Sequence, residues 1–130
     1  MPYVTDTHAL VWYVTDDPKI SSQAKGIFKR ADNGEDSISI PCIVFLELLY
    51  LIEKKRVAVN FDDFVAIVSS AENYRVEPLC VPIIETSRTI PREGVSDPWD
   101  RLIAATSIHL GLPLITRDES LAKIGVDRIW

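Results

Sequence analysis

SDPWDRLIAATSIHLGLPLITRD, residues 96–118, reads as a helix, a two-residue break and a strand. Asp97 has the short acceptor side chain that suits a helix N-cap, Pro98 is favoured at the first helical position, and Asp100 falls where the helix dipole welcomes negative charge. Gly111 and Pro113 stop that helix, so it is expected over 98–110, with a strand over 112–116. Asp118 follows at the strand's far end. A helix leading at once into a strand is the repeating step of an α/β fold, and this one gathers carboxylates at one edge of a sheet.

The same alternation runs upstream. Residues 3–6 (YVTD) form a short β-branched strand with Asp6 last, and 8–14 a helix ended by TDDP. Ser21 or Ser22 caps a helix through Ala31, whose apolar face is Ala24, Ile27, Phe28 and Ala31, with Gly34 as its stop. SISI at 37–40 is a second strand, and Pro41 opens the helix CIVFLELLYLIEKKR. Glu47 is the sole charge in that helix's first ten residues; it is either solvent-facing or partnered. Asn60 caps a fourth helix in a near capping box with Asp63. A third strand is expected within 76–83, a short helix or turn at 84–90, a loop at 91–96, a brief helix at 119–123 and a fifth strand at 127–130. Strands alternating with helices predict a three-layer α/β/α sandwich around a mainly parallel sheet of four to five strands, one domain over 1–130. In such sheets ligands bind at the carboxyl ends of strands, where strand order reverses. If strands one and four are neighbours, Asp6 and Asp118 face each other there.

Composition narrows the classes. A chain of 130 residues buries roughly two thirds of its unfolded surface, enough for one core. No apolar run reaches the roughly 18 residues of a membrane span and the N-terminus has no signal-peptide pattern, so a cytoplasmic, membrane-free protein is expected. Cys42 and Cys80 have neither zinc-ligand nor disulfide-framework spacing and are expected as buried thiols. A formal charge of −5 argues against a nucleic-acid coat but not against a nuclease, since a bound cation and a basic rim reverse the local sign. Lys25, Lys29 and Arg30, and Lys54, Lys55 and Arg56, are candidates for that rim; a solvated charge run is the simpler alternative.

Helix capping explains each aspartate separately, but not four or five carboxylates converging on one crevice. Like charges a few ångströms apart repel unless something positive sits among them. Mg²⁺ or Mn²⁺ fits an oxygen-only donor set; zinc does not, because His8 and His109 are far apart and no cysteine is spaced with them. His109, in the last turn of its helix, reads as structural. A carboxylate-held metal with open water positions supports phosphodiester hydrolysis. A phospho-aspartyl receiver would want adjacent acids after the first strand, a haloacid-dehalogenase-type phosphatase D-x-D where this chain has D-T-H, and a P-loop or dinucleotide fold a Gly-rich loop that is missing.

DTHALVWYV at 6–14, FLEL at 45–48, DPWDRLIAATS at 97–107, GLPLITRDESL at 111–121 and GVDRIW at 125–130, in this order and spacing, resemble the PIN-domain ribonucleases, specifically the VapC-like toxins of toxin–antitoxin pairs. The resemblance spans essentially the whole chain. It implies a catalytic and metal-binding quartet of Asp6, Glu47, Asp100 and Asp118, with Thr7 and Thr116 hydrogen-bonding the carboxylates or metal-bound water. It leaves Asp97 as either a metal ligand or only the helix cap. Arg101 and Arg117 are candidates for RNA-phosphate contacts, with surface salt bridges as the alternative. The resemblance further implies an RNA substrate, one or two Mg²⁺ or Mn²⁺ ions, a small VapB-like antitoxin and a homodimer, with the apolar helix from Cys42 to Ile52, Trp12 and Tyr13 offering contact surface. A PIN-like binding protein without catalysis, and a metal-dependent nuclease of single-stranded DNA or a phosphatase, are the competing readings.

Overall fold

Short polar side chains mark where the helices begin. In the computed structural model, which describes residues 1–130, Asp6 caps α1 (Thr7–Val14), Ser21 caps α2 (Ser22–Asp32), Asn60 caps α4 (Phe61–Ser70) and Asp97 caps α6 (Pro98–Leu110). Each side chain accepts a backbone N–H that the helix leaves without a partner. Between them run α3 (Cys42–Glu53), which starts after Pro41, and α5 (Val81–Ser87). Gly111 ends α6 at φ 66°, left-handed backbone that glycine adopts without Cβ strain.

The strands are β1 (Pro2–Thr5), β2 (Ser37–Pro41), β3 (Tyr74–Glu77), β4 (Leu114–Ile115) and β5 (Arg128–Ile129), with a 3₁₀ helix at Glu119–Ile124. They form one all-parallel sheet in the order β3-β2-β1-β4-β5. Successive strand residues face opposite sides of a sheet. Tyr3, Val4 and Thr5 are nevertheless all buried, as are Leu114, Ile115 and Thr116, so both faces of the centre are covered: an α/β sandwich with one cluster of 26 buried apolar residues. No helix is long and apolar enough to cross a membrane.

β1 does lie beside β4, with Val4 opposite Leu114 and Thr5 opposite Ile115. The chain builds β1, β2 and β3 in one direction and β4 and β5 in the other, so the order reverses between β1 and β4. The crevice expected for a ligand opens there.

Several local expectations are corrected. β1 ends at Thr5, one residue early, because Asp6 turns its carboxylate to the N–H of Ala9 at 2.8 Å, although its own N–H still donates to Ile115 across the sheet at 3.2 Å. The third strand is 74–77 and overlaps the expected 76–83 only at Val76 and Glu77: Pro78 has no N–H for a ladder, and Pro82 sits in the first turn of α5. α3 stops at Glu53, and Lys55 takes a left-handed turn (φ 57°), so Lys54, Lys55 and Arg56 follow the helix. Cys42 is exposed and Cys80 only half-buried, not buried thiols. Cys42 opens a helix with more apolar residues than its inward face can hold; Leu46 and Tyr50 are likewise exposed.

Candidate active site

The carboxyl end of β1 carries Asp6 and that of β4 carries Thr116, Arg117 and Asp118. Helix dipoles and caps then supply the rest: α6 begins beside them with Asp97 and Asp100, and the second turn of α3 brings Glu47. Asp6, Glu47, Asp97, Asp100, Asp118 and Thr116 line a single crevice of ≈ 420 Å³, together with His8, Trp12, Ile103, Arg117 and Leu121. A larger groove of ≈ 1280 Å³ nearby contains none of the five acids.

Hydrogen bonds fix individual carboxylates. Thr7, fully buried at the start of α1, donates from Oγ1 to Oε1 of Glu47 at 2.6 Å, which leaves Oε2 free. Asp97 accepts from the N–H groups of Trp99 (2.8 Å) and Asp100 (3.3 Å), so it is the cap of α6 and also a wall of the crevice. Asp118 accepts from the N–H and hydroxyl of Ser120, at 3.0 and 2.6 Å, capping the 3₁₀ helix. Its own N–H is held by the Thr116 hydroxyl at 3.2 Å.

The electrostatics are those of crowded negative charge. Asp100, half-buried, is pushed up to about 7, first by loss of solvent and then by repulsion from Asp97, Glu47, Asp6 and Asp118. Burial also raises Asp6; the Thr116 hydroxyl, the Ala9 N–H and nearby His8 act in the opposite sense, and Glu47 adds to the rise. The five acids offer only oxygen donors and carry excess negative charge, with His8 the one nitrogen donor at the wall, which fits a hard divalent cation better than zinc. As they stand, no three acidic, histidine or cysteine side chains are close enough together to share one ion. The fit is therefore one of donor chemistry and charge, and binding would draw the carboxylates inward.

The basic residues divide. Arg117 lines the crevice, its guanidinium carbon 5.7 Å from the Trp12 ring centre. Arg101 does not line it: its Nη2 donates to the carbonyls of Ser87 (2.9 Å) and Ile90 (3.0 Å), strapping α6 to the end of α5. Neither arginine forms the salt bridges weighed as alternatives. Of the suggested rim, Arg30 is bound to Asp36 at 2.8 Å, just before β2 at the opposite end of the sheet, and Lys25 pairs with Asp16 at 3.3 Å. His109 is exposed in the last turn of α6. Sequence reasoning passed over His8 and Trp12 as crevice residues. Their signal was present: they are two and six residues after Asp6 and one helical turn apart, so they share a face of α1.

Comparisons with known proteins bear on the family and the fold. A family model described as PIN domain matches residues 3–127. Ribonuclease VapC22 of Mycobacterium tuberculosis is 28% identical over 116 residues, covering 89% of this chain and 86% of that protein. Among solved structures, the VapBC2 complex of Rickettsia felis bound to a DNA fragment from its promoter is similar with a TM-score of 0.71 at 18% identity, over 99% of this chain and 98% of that one. FitAcB from Neisseria gonorrhoeae has a TM-score of 0.67 at 17% identity, over 100% and 97% of the two chains. At these identities the solved structures establish the fold.

Proposed function

The chain belongs to the PIN domain family, and from that premise we propose that it is a Mg²⁺- or Mn²⁺-dependent endoribonuclease, the toxin of a toxin–antitoxin pair acting in the cytoplasm. One observation carries the catalytic part: five carboxylates line one crevice at the β1/β4 reversal with no cation paired to them, and burial together with their mutual repulsion pushes Asp100 up to about 7. Crowding of this kind costs stability and is tolerated where a cation and a phosphate are to be handled.

Asp6 and Asp100 would hold the ion, and Asp118 would share or complete its shell. A bound Mg²⁺ or Mn²⁺ supplies Lewis-acid polarisation of the phosphate and a lowered pKa for the attacking water. The chain's own residues do the rest. Glu47, oriented by Thr7 through Oε1, takes the water's proton at its free Oε2. Thr116 and the Ala9 N–H fix Asp6. Asp97 sets where α6 begins and so where Asp100 stands. Arg117, at the crevice wall, is placed to meet a phosphate.

The toxin role rests on relatives: one is named a ribonuclease, and the similar solved structures are named as VapBC and toxin–antitoxin complexes. A small antitoxin is the corresponding partner, and the exposed Leu46 and Tyr50 on α3 suit a homodimer contact. The test is purified, antitoxin-free protein incubated with structured RNA and Mg²⁺ or Mn²⁺, with single-stranded DNA and a small phosphate ester in parallel. RNA cleavage that stops with chelator and in Asp6→Asn is expected. Cleavage that survives both would end the metal mechanism; cutting of DNA or ester in place of RNA would change the substrate; partner binding with no cleavage would favour a PIN-like binding protein.

A further inference from the structure

His8, Trp12 and Arg117 line both cavities, the acidic crevice and the larger groove, and so form the wall where one opens into the other. His8 and Trp12 stand one turn apart on α1 with ring centres 5.7 Å apart. The final residue, Trp130, meets Trp12 edge-on at 5.8 Å, which steadies the indole while leaving it only half-buried. Two long, flexible side chains lie over the same ring, the Arg117 guanidinium carbon at 5.7 Å and the Lys19 ammonium at 5.8 Å from its centre, so a base that stacks on the indole takes the place of one of them there. Arg117 pairs with no carboxylate although it stands next to Asp118, and Lys19 reaches Asp17 only at 3.9 Å.

An indole flanked by cations at the exit of a nuclease crevice matches the two faces of a nucleotide. The base offers a π-surface to stack on and the adjoining phosphate a charge to neutralise. A peptide would have to supply an aromatic and an acidic side chain in register; single-stranded RNA supplies both in every unit. We propose that Trp12, with His8 beside it, is a stacking subsite for the nucleobase beside the scissile phosphate, and that Arg117 and Lys19 hold the phosphate attached to it. The subsite rests on the RNA-cleaving function argued above. Every base has a π-face, so the subsite registers the strand without reading its sequence. Cleavage then depends on a base being present at that position more than on which base it is.

Trp12 also packs partly against the core, so its replacement must separate stacking from packing. Trp12→Phe keeps a smaller ring, and Trp12→Leu fills apolar volume without one. Both are made in an Asp6→Asn background, which is to hold RNA without cutting it, and titrated by fluorescence anisotropy with short unstructured RNAs that lack the base at each position in turn. Trp12→Leu is expected to weaken binding of intact RNA by about 5- to 100-fold, and Trp12→Phe by less. At one abasic position the penalty for Trp12→Leu should vanish, because the partner of the ring is already gone. An equal penalty on intact RNA and on every abasic RNA would overturn the subsite, as would sensitivity of protein-partner binding alone. If the unaltered protein cuts RNA while Trp12→Leu binds it undiminished, the subsite falls and the nuclease stands. Neither cutting nor binding by any form removes both.

Discussion

The two ends of the sheet treat carboxylates in opposite ways. At the amino end, Asp36 precedes β2 and receives the N-terminal ammonium at 2.9 Å and the Arg30 guanidinium at 2.8 Å; these bonds hold its carboxyl below the usual range. At the carboxyl end, Asp6 and Asp100 sit among acids with no paired cation, and both are raised. The same residue type in the same small protein is thus neutralised by the chain at one end and left without a cation of the chain's own at the other. Charges that serve the fold are matched by the fold. An unmatched cluster at the order reversal identifies where function is held at the expense of stability.

The largest effect that separates the two ends is on rate. Asp100→Asn is expected to lower RNA cleavage by on the order of 10³-fold, since it removes a charge that positions several kcal/mol of metal-derived stabilisation. Asp36→Asn should leave the rate constant for cleavage unchanged and cost only ~1 kcal/mol of stability, because both cations that meet this largely covered carboxylate stand in solvent, where ion pairs contribute little. Initial rates on one RNA, with circular dichroism to verify folding, decide the matter. Equal losses at both ends would mean that the acids matter only through the fold.

Next in size is the response to the proposed cation. Mg²⁺ or Mn²⁺ at a hundred times its dissociation constant should stabilise the protein by ~2.7 kcal/mol, read as a rise in the thermal midpoint. The rise should be unaffected in Asp36→Asn and largely lost in Asp100→Asn. A midpoint indifferent to either ion would remove the metal from the crevice, whatever the cleavage assay reports.

Much of this contrast was legible in the chain, and for a physical reason. SDPWD is a cap sequence, Gly111 a helix stop, and each places an aspartate relative to an element boundary; once β1 and β4 pair, the boundaries coincide in space. What was not legible depends on partners that leave no local pattern. β3 is an edge strand with its ends half-buried and its middle exposed, so it shows no alternation, whereas the β-branched run after it carries Pro78 and Pro82 and becomes a turn and a helix. Arg101 reads like a phosphate ligand because it adjoins Asp100, yet it is tied to the carbonyls of Ser87 and Ile90, groups every residue possesses. Glu47 shows only as a lone charge in an apolar helix; that Thr7 reaches its Oε1 follows from α1 packing near α3, a fact of tertiary structure.

The smallest effect is the one that most sharply opposes the two ends, because their stabilities should depend on pH with opposite signs. Asp100 is raised from 3.8 to about 7 on folding, so the folded protein binds this proton more tightly than the unfolded chain. Its favourable contribution is complete below about pH 4 and is lost as the pH rises toward 7. A half-buried group is partly screened, so ~1–2 kcal/mol of destabilisation across that window is expected, less than the unscreened shift implies. Asp36 is lowered below 3.8, so its contribution is present above that value and disappears only as the pH falls further. Urea unfolding of the metal-free protein between pH 4.5 and 8 therefore samples Asp100 while Asp36 stays charged. Stability should decline with rising pH in the wild type and in Asp36→Asn, and the slope should flatten in Asp100→Asn, which becomes the more stable protein at pH 8. A slope that survives Asp100→Asn would assign the strain to Asp6 instead. A slope of the opposite sign would mean that the crevice is already neutralised by the protein itself.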